Sequence, residues 1–164
     1  MSGVATFANL NLNKVGTGYT LNASATGVAA VTSAGFGITA APATQLVFTV
    51  QPTSTTAGAT ITPAVQVTAL DGFGNTDPAF TANVTVALGA NPGGGTLSGT
   101  TTVAAASGVA TFSGLSVDKV GTGYTLTAAA TGLTGSPSAT FNITAGIGAH
   151  LVFSVQPSNT AAGT

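Results

Sequence analysis

Gly121-Thr122-Gly123-Tyr124-Thr125-Leu126-Thr127-Ala128 is the stretch from which the fold can be read. From Tyr124 onward every second residue is apolar, and the residues between are Thr. A repeat of two places alternate side chains on opposite faces of a strand, whereas a helix needs a repeat near 3.6. Ala139-Thr140-Phe141-Asn142-Ile143-Thr144 alternates in the same way, as do Phe80-Thr81-Ala82-Asn83-Val84-Thr85-Val86 and Val65-Gln66-Val67-Thr68. Thr and Val also favour a pleated, half-buried surface.

Turn signals separate these runs: Asp71-Gly72-Phe73-Gly74-Asn75, Asn91-Pro92-Gly93-Gly94-Gly95 and Thr134-Gly135-Ser136-Pro137. The expected strands are 45–51, 62–70, 79–88, 100–105, 108–113, 121–131 and 138–144. About seven short strands in roughly 100 residues indicate an all-β Greek-key β-sandwich.

The quoted stretch is also one half of an internal repeat. Lys14-Val15-Gly16-Thr17-Gly18-Tyr19-Thr20-Leu21 recurs from Lys119, Gly3-Val4-Ala5-Thr6-Phe7 recurs from Gly108, and Leu46-Val47-Phe48 recurs from Leu151. Each pair is 105 residues apart, as Gly3 is from Gly108. The alignment runs without a gap, and more than half of its positions are identical, which composition alone cannot produce. Tandem modules of 105 residues are therefore expected. Residues 1–42 read as the C-terminal part of a preceding module, 43–144 as a complete module, and 145–164 as the first strand of a following one.

The chain has 164 residues and 3% charged side chains, against about 25% in typical soluble domains. The charges are Lys14, Lys119, Asp71, Asp77 and Asp118. Two lysines form no basic patch for nucleic acid and no polybasic cluster for anionic lipid. No apolar run reaches the roughly 20 residues of a membrane-spanning helix, so no membrane insertion is expected. Met1-Ser2-Gly3-Val4 has no basic start or apolar core of a signal peptide, so an exported protein would carry its targeting segment elsewhere. Cysteine is absent, and a domain of this size can stand on its core alone.

The chemistry-bearing residues are few. There is no Glu, no Cys and one His, His150, whose counterpart is Gln45. No nucleophile–base pair or carboxylate pair can be drawn, so the chain reads as no enzyme and implies no cofactor. Asp71, Asn75 and Asp77 are the one local oxygen cluster and the candidates for a cation. Two carboxylates are a thin set against the six to eight oxygens that calcium takes. The plainer reading is that Asp71 caps its own turn. Lys14 and Lys119 are retained in both copies, while Asn13 becomes Asp118, so the Lys reads as packing over apolar surface.

Phe7, Phe36, Phe48, Phe112, Phe141 and Phe153 fall at inward-compatible positions and are expected in the core. Phe73, between glycines, is the one aromatic expected at the surface. Tyr19 and Tyr124 follow Gly18 and Gly123 at a strand start. There a Tyr hydroxyl can bond upstream backbone as in a tyrosine corner, or the ring can simply pack. Asn22, Asn83 and Asn142 head glycosylation sequons, which matter only where exported proteins are glycosylated.

The first strand of residues 46–50, Asp71-x-x-Gly74-Asn75, Gly108-x-Ala110-x-Phe112 and Gly123-Tyr124-Thr125-Leu126-Thr127-Ala128 together resemble a bacterial immunoglobulin-like domain of the invasin/intimin type. The resemblance spans the module and part of both flanks. It implies an immunoglobulin-like sandwich, tandem spacer modules, and a place on the cell surface or outside the cell. It carries no catalytic residues. The acidic residue that often precedes the Gly-x-Ala strand is missing, since residues 103–107 are uncharged.

The expected function is an extracellular structural array: a stalk, sheath or filament of end-to-end modules that self-associate, with inter-chain strand pairing as one route. The alternative is a ligand-binding module of a surface adhesin, with a host or matrix glycan or protein as partner.

Overall fold

A computed structural model describes residues 3–148 and 151–163. Among these residues there is no helix. The first four strands are β1 (Gly16–Tyr19), β2 (Asn22–Ala25), β3 (Val28–Thr32) and β4 (Phe36–Ile38). The next six are β5 (Gln45–Val50), β6 (Thr55–Thr56), β7 (Val65–Leu70), β8 (Asn83–Leu88), β9 (Leu97–Ser98) and β10 (Thr102–Ala104). The last six are β11 (Val109–Phe112), β12 (Ser116–Val117), β13 (Gly121–Tyr124), β14 (Leu126–Ala129), β15 (Thr134–Gly135) and β16 (Phe141–Thr144).

The protein is all-β, with several sheets whose arrangement is compatible with a β-sandwich. One sheet runs β11-β7-β5-β15, a second β10-β8-β14 and a third β13-β16-β6. β9 and β12 form a short pair. Most pairings are antiparallel; β15 on β5 and β16 on β6 are parallel. Inward residues of these sheets meet in one cluster: Leu46 and Phe48 from β5, Val65 and Val67 from β7, Val84 and Val86 from β8, Phe112 from β11, Leu126 from β14, and Phe141 and Ile143 from β16. In β8, β14 and β16 the residues between are exposed. This is the burial that a repeat of two requires. Thr pairs also bridge neighbouring strands, Thr85 to Thr102 at 2.9 Å and Thr49 to Thr68 at 2.8 Å.

Three strand expectations change. The expected strand 121–131 is two strands, because Gly123 takes φ 89° and the ladder slips between Thr122 and Tyr124. β13 then pairs with β16, while β14 crosses to β8. The expected strand 79–88 begins only at Asn83. Asp77 holds the preceding residues in a turn by accepting from Ala79 and Phe80 amides. Thr134-Gly135, read as a turn, is a two-residue edge strand beside β5. Pro137 has no N–H for a longer ladder, but an edge of two residues does not need it.

The residues on either side of 43–144 differ from them in burial. In residues 3–40, β1 pairs with β4 and β2 with β3, yet every residue of β2 and β3 is exposed. Residues 151–157, near-copies of residues 46–52, were expected as a strand but form none. β5 is held between β7 and β15, and residues 151–157 have no such strand neighbours among the described residues. Two of the six Phe expected in the core are therefore at the surface. Phe48, Phe112 and Phe141 are buried and Phe36 is half-buried, but Phe7 and Phe153 are exposed.

Candidate functional site

Among the described residues, the acidic loop between β7 and β8 is the one place where charged and polar side chains are buried together. Asp71, Asn75 and Asp77 are brought into one neighbourhood by a tight turn. The Asp71 amide donates to the Asn75 carbonyl, and Gly74 adopts φ 79°, a left-handed conformation that glycine enters without steric cost. Asp71 is only 1% exposed.

The carboxylate oxygens are engaged by N–H donors. Asp71 Oδ1 accepts from the amides of Phe73 and Asn75, each at 2.9 Å. The Asn75 side-chain amide reaches both Asp71 oxygens, at 3.2 and 3.0 Å. Asp71 Oδ2 also accepts from the Ala41 amide at 3.2 Å. Asp77 divides its oxygens between the amides of Ala79 and Ala43, both at 2.9 Å. A cation prefers a shell of oxygens, so one entering this loop would have to displace these donors. The Asn75 side-chain amide, followed by the Asn75 backbone amide, holds the Asp71 carboxyl down at about 2, against the opposing effect of burial. Hydrogen bonds to the ionised form favour it.

Asn75 extends the loop outward. Its Nδ2 donates to the Asn13 carbonyl at 2.8 Å, and its Oδ1 accepts from the Val15 amide at 3.2 Å. Together with Ala41 and Ala43, four backbone groups of the preceding segment are held by three side chains of this loop. Sequence reasoning found the loop and its self-capping but missed this reach. The partners are main-chain atoms up to 62 residues away, and no residue type marks them.

The tyrosines have matching surroundings. Tyr124 donates to the Lys119 carbonyl at 2.8 Å, and Tyr19 to the Lys14 carbonyl at 3.2 Å. Each ring also lies against a Phe, with centroids 5.9 Å apart for Tyr124–Phe141 and 6.1 Å for Tyr19–Phe36. The hydroxyl thus bonds upstream backbone while the ring packs. The retained Lys offers its carbonyl, and its side chain lies in the exposed part of the chain. Asp118 caps its own neighbourhood by accepting from the Thr96 amide at 2.6 Å.

The remaining candidates are dispersed. Asn22, Asn83 and Asn142 are exposed on β2, β8 and β16. Asn142 Oδ1 accepts from the Gly123 amide at 2.9 Å. Phe73 is 64% exposed at the tip of the acidic loop. His150 lies outside the described residues. Among the described residues no three His, Cys, Asp or Glu side chains converge, and no helix is long and apolar enough to cross a membrane. No family model matches the chain, and no significant match was found among the curated proteins.

Proposed function

We propose that this chain is part of an extracellular structural array, a stalk, sheath or filament built from end-to-end immunoglobulin-like Greek-key modules. The observation that carries the reading is the grip of the acidic loop on the segment before it. Asn75 holds Asn13 and Val15 backbone and Asp71 Oδ2 holds the Ala41 amide, all before residue 43, while Asp77 holds the Ala43 amide at the start of the module. A loop that fastens one module to the next suits a protein whose task is to hold a fixed spacing. The ungapped 105-residue repeat, from Gly3 to Gly108 and from Leu46 to Leu151, supports the same reading, because equal modules joined by equal contacts stack regularly. The scarcity of charge leaves a surface of Thr, Ser and backbone groups, indifferent to ionic strength.

Electron microscopy of the native material tests this reading. Rods or fibres with a constant axial repeat are expected. Isolated, flexible particles at high concentration would sink it.

A further inference from the structure

The loop that grips Asn13, Val15 and Ala41 also carries the one Asp-Gly step of the chain, Asp71-Gly72. We propose that the Asp71–Gly72 peptide is a latent isomerisation site: the donors around Asp71 hold it unreactive while the loop is closed, and opening of the loop converts Asp71 to isoaspartate and ends the hold on residues 13, 15 and 41. The proposal goes beyond the array reading and does not depend on it.

The chemistry needs only these two residues and water. The Gly72 nitrogen attacks the side-chain carboxyl carbon of Asp71. The new C–N bond closes a cyclic imide, the C–OH bond breaks, and one water leaves with the proton of the nitrogen. Water then adds to either imide carbonyl. Opening at the side-chain carbonyl restores aspartate. Opening at the main-chain carbonyl leaves the chain running through Cγ, with one more carbon in the main chain and a free α-carboxylate. No oxidant, reductant or other reactant enters.

The sequence singles out this step. Glycine sets no side chain against the attack. Asp77 is followed by Pro78, whose nitrogen has no proton to lose, Asp118 is followed by the bulky Lys119, and no Asn precedes a Gly. The fold does not itself call for glycine at 72. A Cβ there would meet nothing within 4 Å, and its φ lies outside the left-handed region that Gly74 occupies at 79°.

The structure supplies the restraint. Imide closure needs the neutral carboxyl, because a hydroxyl must leave. Asp71 Oδ1 accepts from the Phe73 and Asn75 amides, Oδ2 accepts from the Ala41 amide, and Asn75 Nδ2 reaches both oxygens. All of these favour the ionised form. The carboxyl is held at about 2 instead of 3.8, and its neutral fraction at neutral pH falls about tenfold for each such unit. The main chain is pinned as well. The Asp71 carbonyl accepts from the Gly74 amide at 3.1 Å and from Gln45 Nε2 at 3.3 Å, and the Asp71 amide donates to the Asn75 carbonyl at 2.8 Å. Ring closure turns the carboxyl and the Asp71–Gly72 peptide towards each other, which breaks both sets of contacts.

Reactivity is coupled to the grip because the same groups serve both. Ala41 belongs to the preceding segment, and Asn75 spans from Asp71 to Asn13 and Val15. Pulling that segment away removes one donor and loosens another. In the isoaspartyl chain the carbonyl that served Gly74 and Gln45 is a free carboxylate, so the turn that aims Asn75 outward is lost.

The intact chain is incubated at neutral pH in water enriched in the heavy oxygen isotope. Each passage through the imide leaves one heavy oxygen in the peptide containing Asp71, which mass spectrometry reads. Labelling is expected to be about tenfold or more slower in the folded chain than in guanidinium. Asn75→Ala, folded by circular dichroism, should label faster than the parent, and Gly72→Ala in that background should restore slow labelling. Asn142→Ala, which removes the hydrogen bond to the Gly123 amide, should label like the parent. Chains aged in guanidinium and refolded should carry isoaspartate and lose hydrogen-exchange protection at the Val15 and Ala41 amides. Equal labelling of folded and denatured chains overturns the proposal, as does a folded Asn75→Ala chain no faster than the parent or than Asn142→Ala. Retained protection at Val15 and Ala41 in the isoaspartyl chain overturns the coupling to the grip. Should Asn75→Ala fail to fold, the folded and denatured parent chains still decide.

Discussion

Phe7 and Phe112 occupy the same place in the same five-residue motif, yet one is 67% exposed and the other 0%. Part of the difference is local, since Phe112 lies in β11 on β7 while residues 4–7 form no strand, but the following hairpin region is alike in both copies. β1 and β4 repeat the register of β13 and β16, with Gly16 opposite Ile38 as Gly121 is opposite Ile143. Ser33 accepts from the Leu21 amide as Ser138 does from Leu126, both at 2.9 Å. Even Asn9 takes φ 70° where its counterpart Gly114 takes 86°, and Asn is among the few residues that visit this region readily. What differs is also the opposing sheet. Residues 106–144 pack against β5, β7 and β8, whereas among the described residues no second copy of β7 and β8 lies over residues 3–40. Hairpin geometry is thus a local property here, and burial is a property of the whole module.

The largest effect should separate the two copies most sharply. Phe112→Ala is expected to cost about 3–5 kcal/mol of stability through lost burial and an unfilled cavity. Phe7→Ala should stay within about 0.5 kcal/mol. Urea unfolding of both variants measures the pair, and equal losses would break the comparison.

Gly108→Ala comes next. Gly108 sits at φ 83°, and a Cβ there would run into the Asp77 carbonyl. The left-handed conformation alone costs an L-residue about 1–2 kcal/mol, and the collision adds to it. Gly3 has φ 69° but open space around it, so Gly3→Ala should show at most the conformational part. Thermal unfolding distinguishes the two.

Removing the tyrosine hydroxyl is a smaller change. Tyr124→Phe leaves the Lys119 carbonyl without its donor and should cost about 1 kcal/mol, while Tyr19→Phe should be close to neutral. Denaturant midpoints at constant slope provide the test.

The last test concerns the link between the regions. The Asp71 carboxyl lies below its ordinary 3.8, at about 2 in the folded chain. Its ionised form therefore favours the folded state above about pH 4, and that contribution fades as the pH falls from about 4 towards 2. The Ala41, Phe73 and Asn75 amides should shift together with an apparent midpoint near 2 when followed by NMR. A midpoint near 3.8 would show that these donors do not hold the carboxylate.

Much of this was legible beforehand because it is encoded at short range. Alternation from Tyr124 to Ala128 placed Tyr124, Leu126 and Ala128 inward, and all three are buried. The Asp71 turn was readable from Asp and Gly at fixed offsets. The crossing from β13 to β14 was not, because a continuous apolar/polar alternation hides the change of partner at Gly123. The two-residue strands β6, β9, β12 and β15 were not legible either, since two residues carry no period. Nor was the hold of Asn75 on Asn13 and Val15, whose acceptor and donor are backbone atoms common to every residue.

The alternation, the turns and the 105-residue spacing follow from the amino-acid sequence alone, whereas residues 4–7 and 151–157 form no strand although their copies in β11 and β5 do. Which copy of a motif is buried was decided only by tertiary structure. Burial needs an opposing surface, and identical residues find one in residues 106–144 and none in residues 3–40. The quoted stretch from Gly121 to Ala128 is core for that reason, while its twin from Gly16 to Ala23 repeats the pairing of β13 with β16 as β1 with β4 but lies largely against solvent.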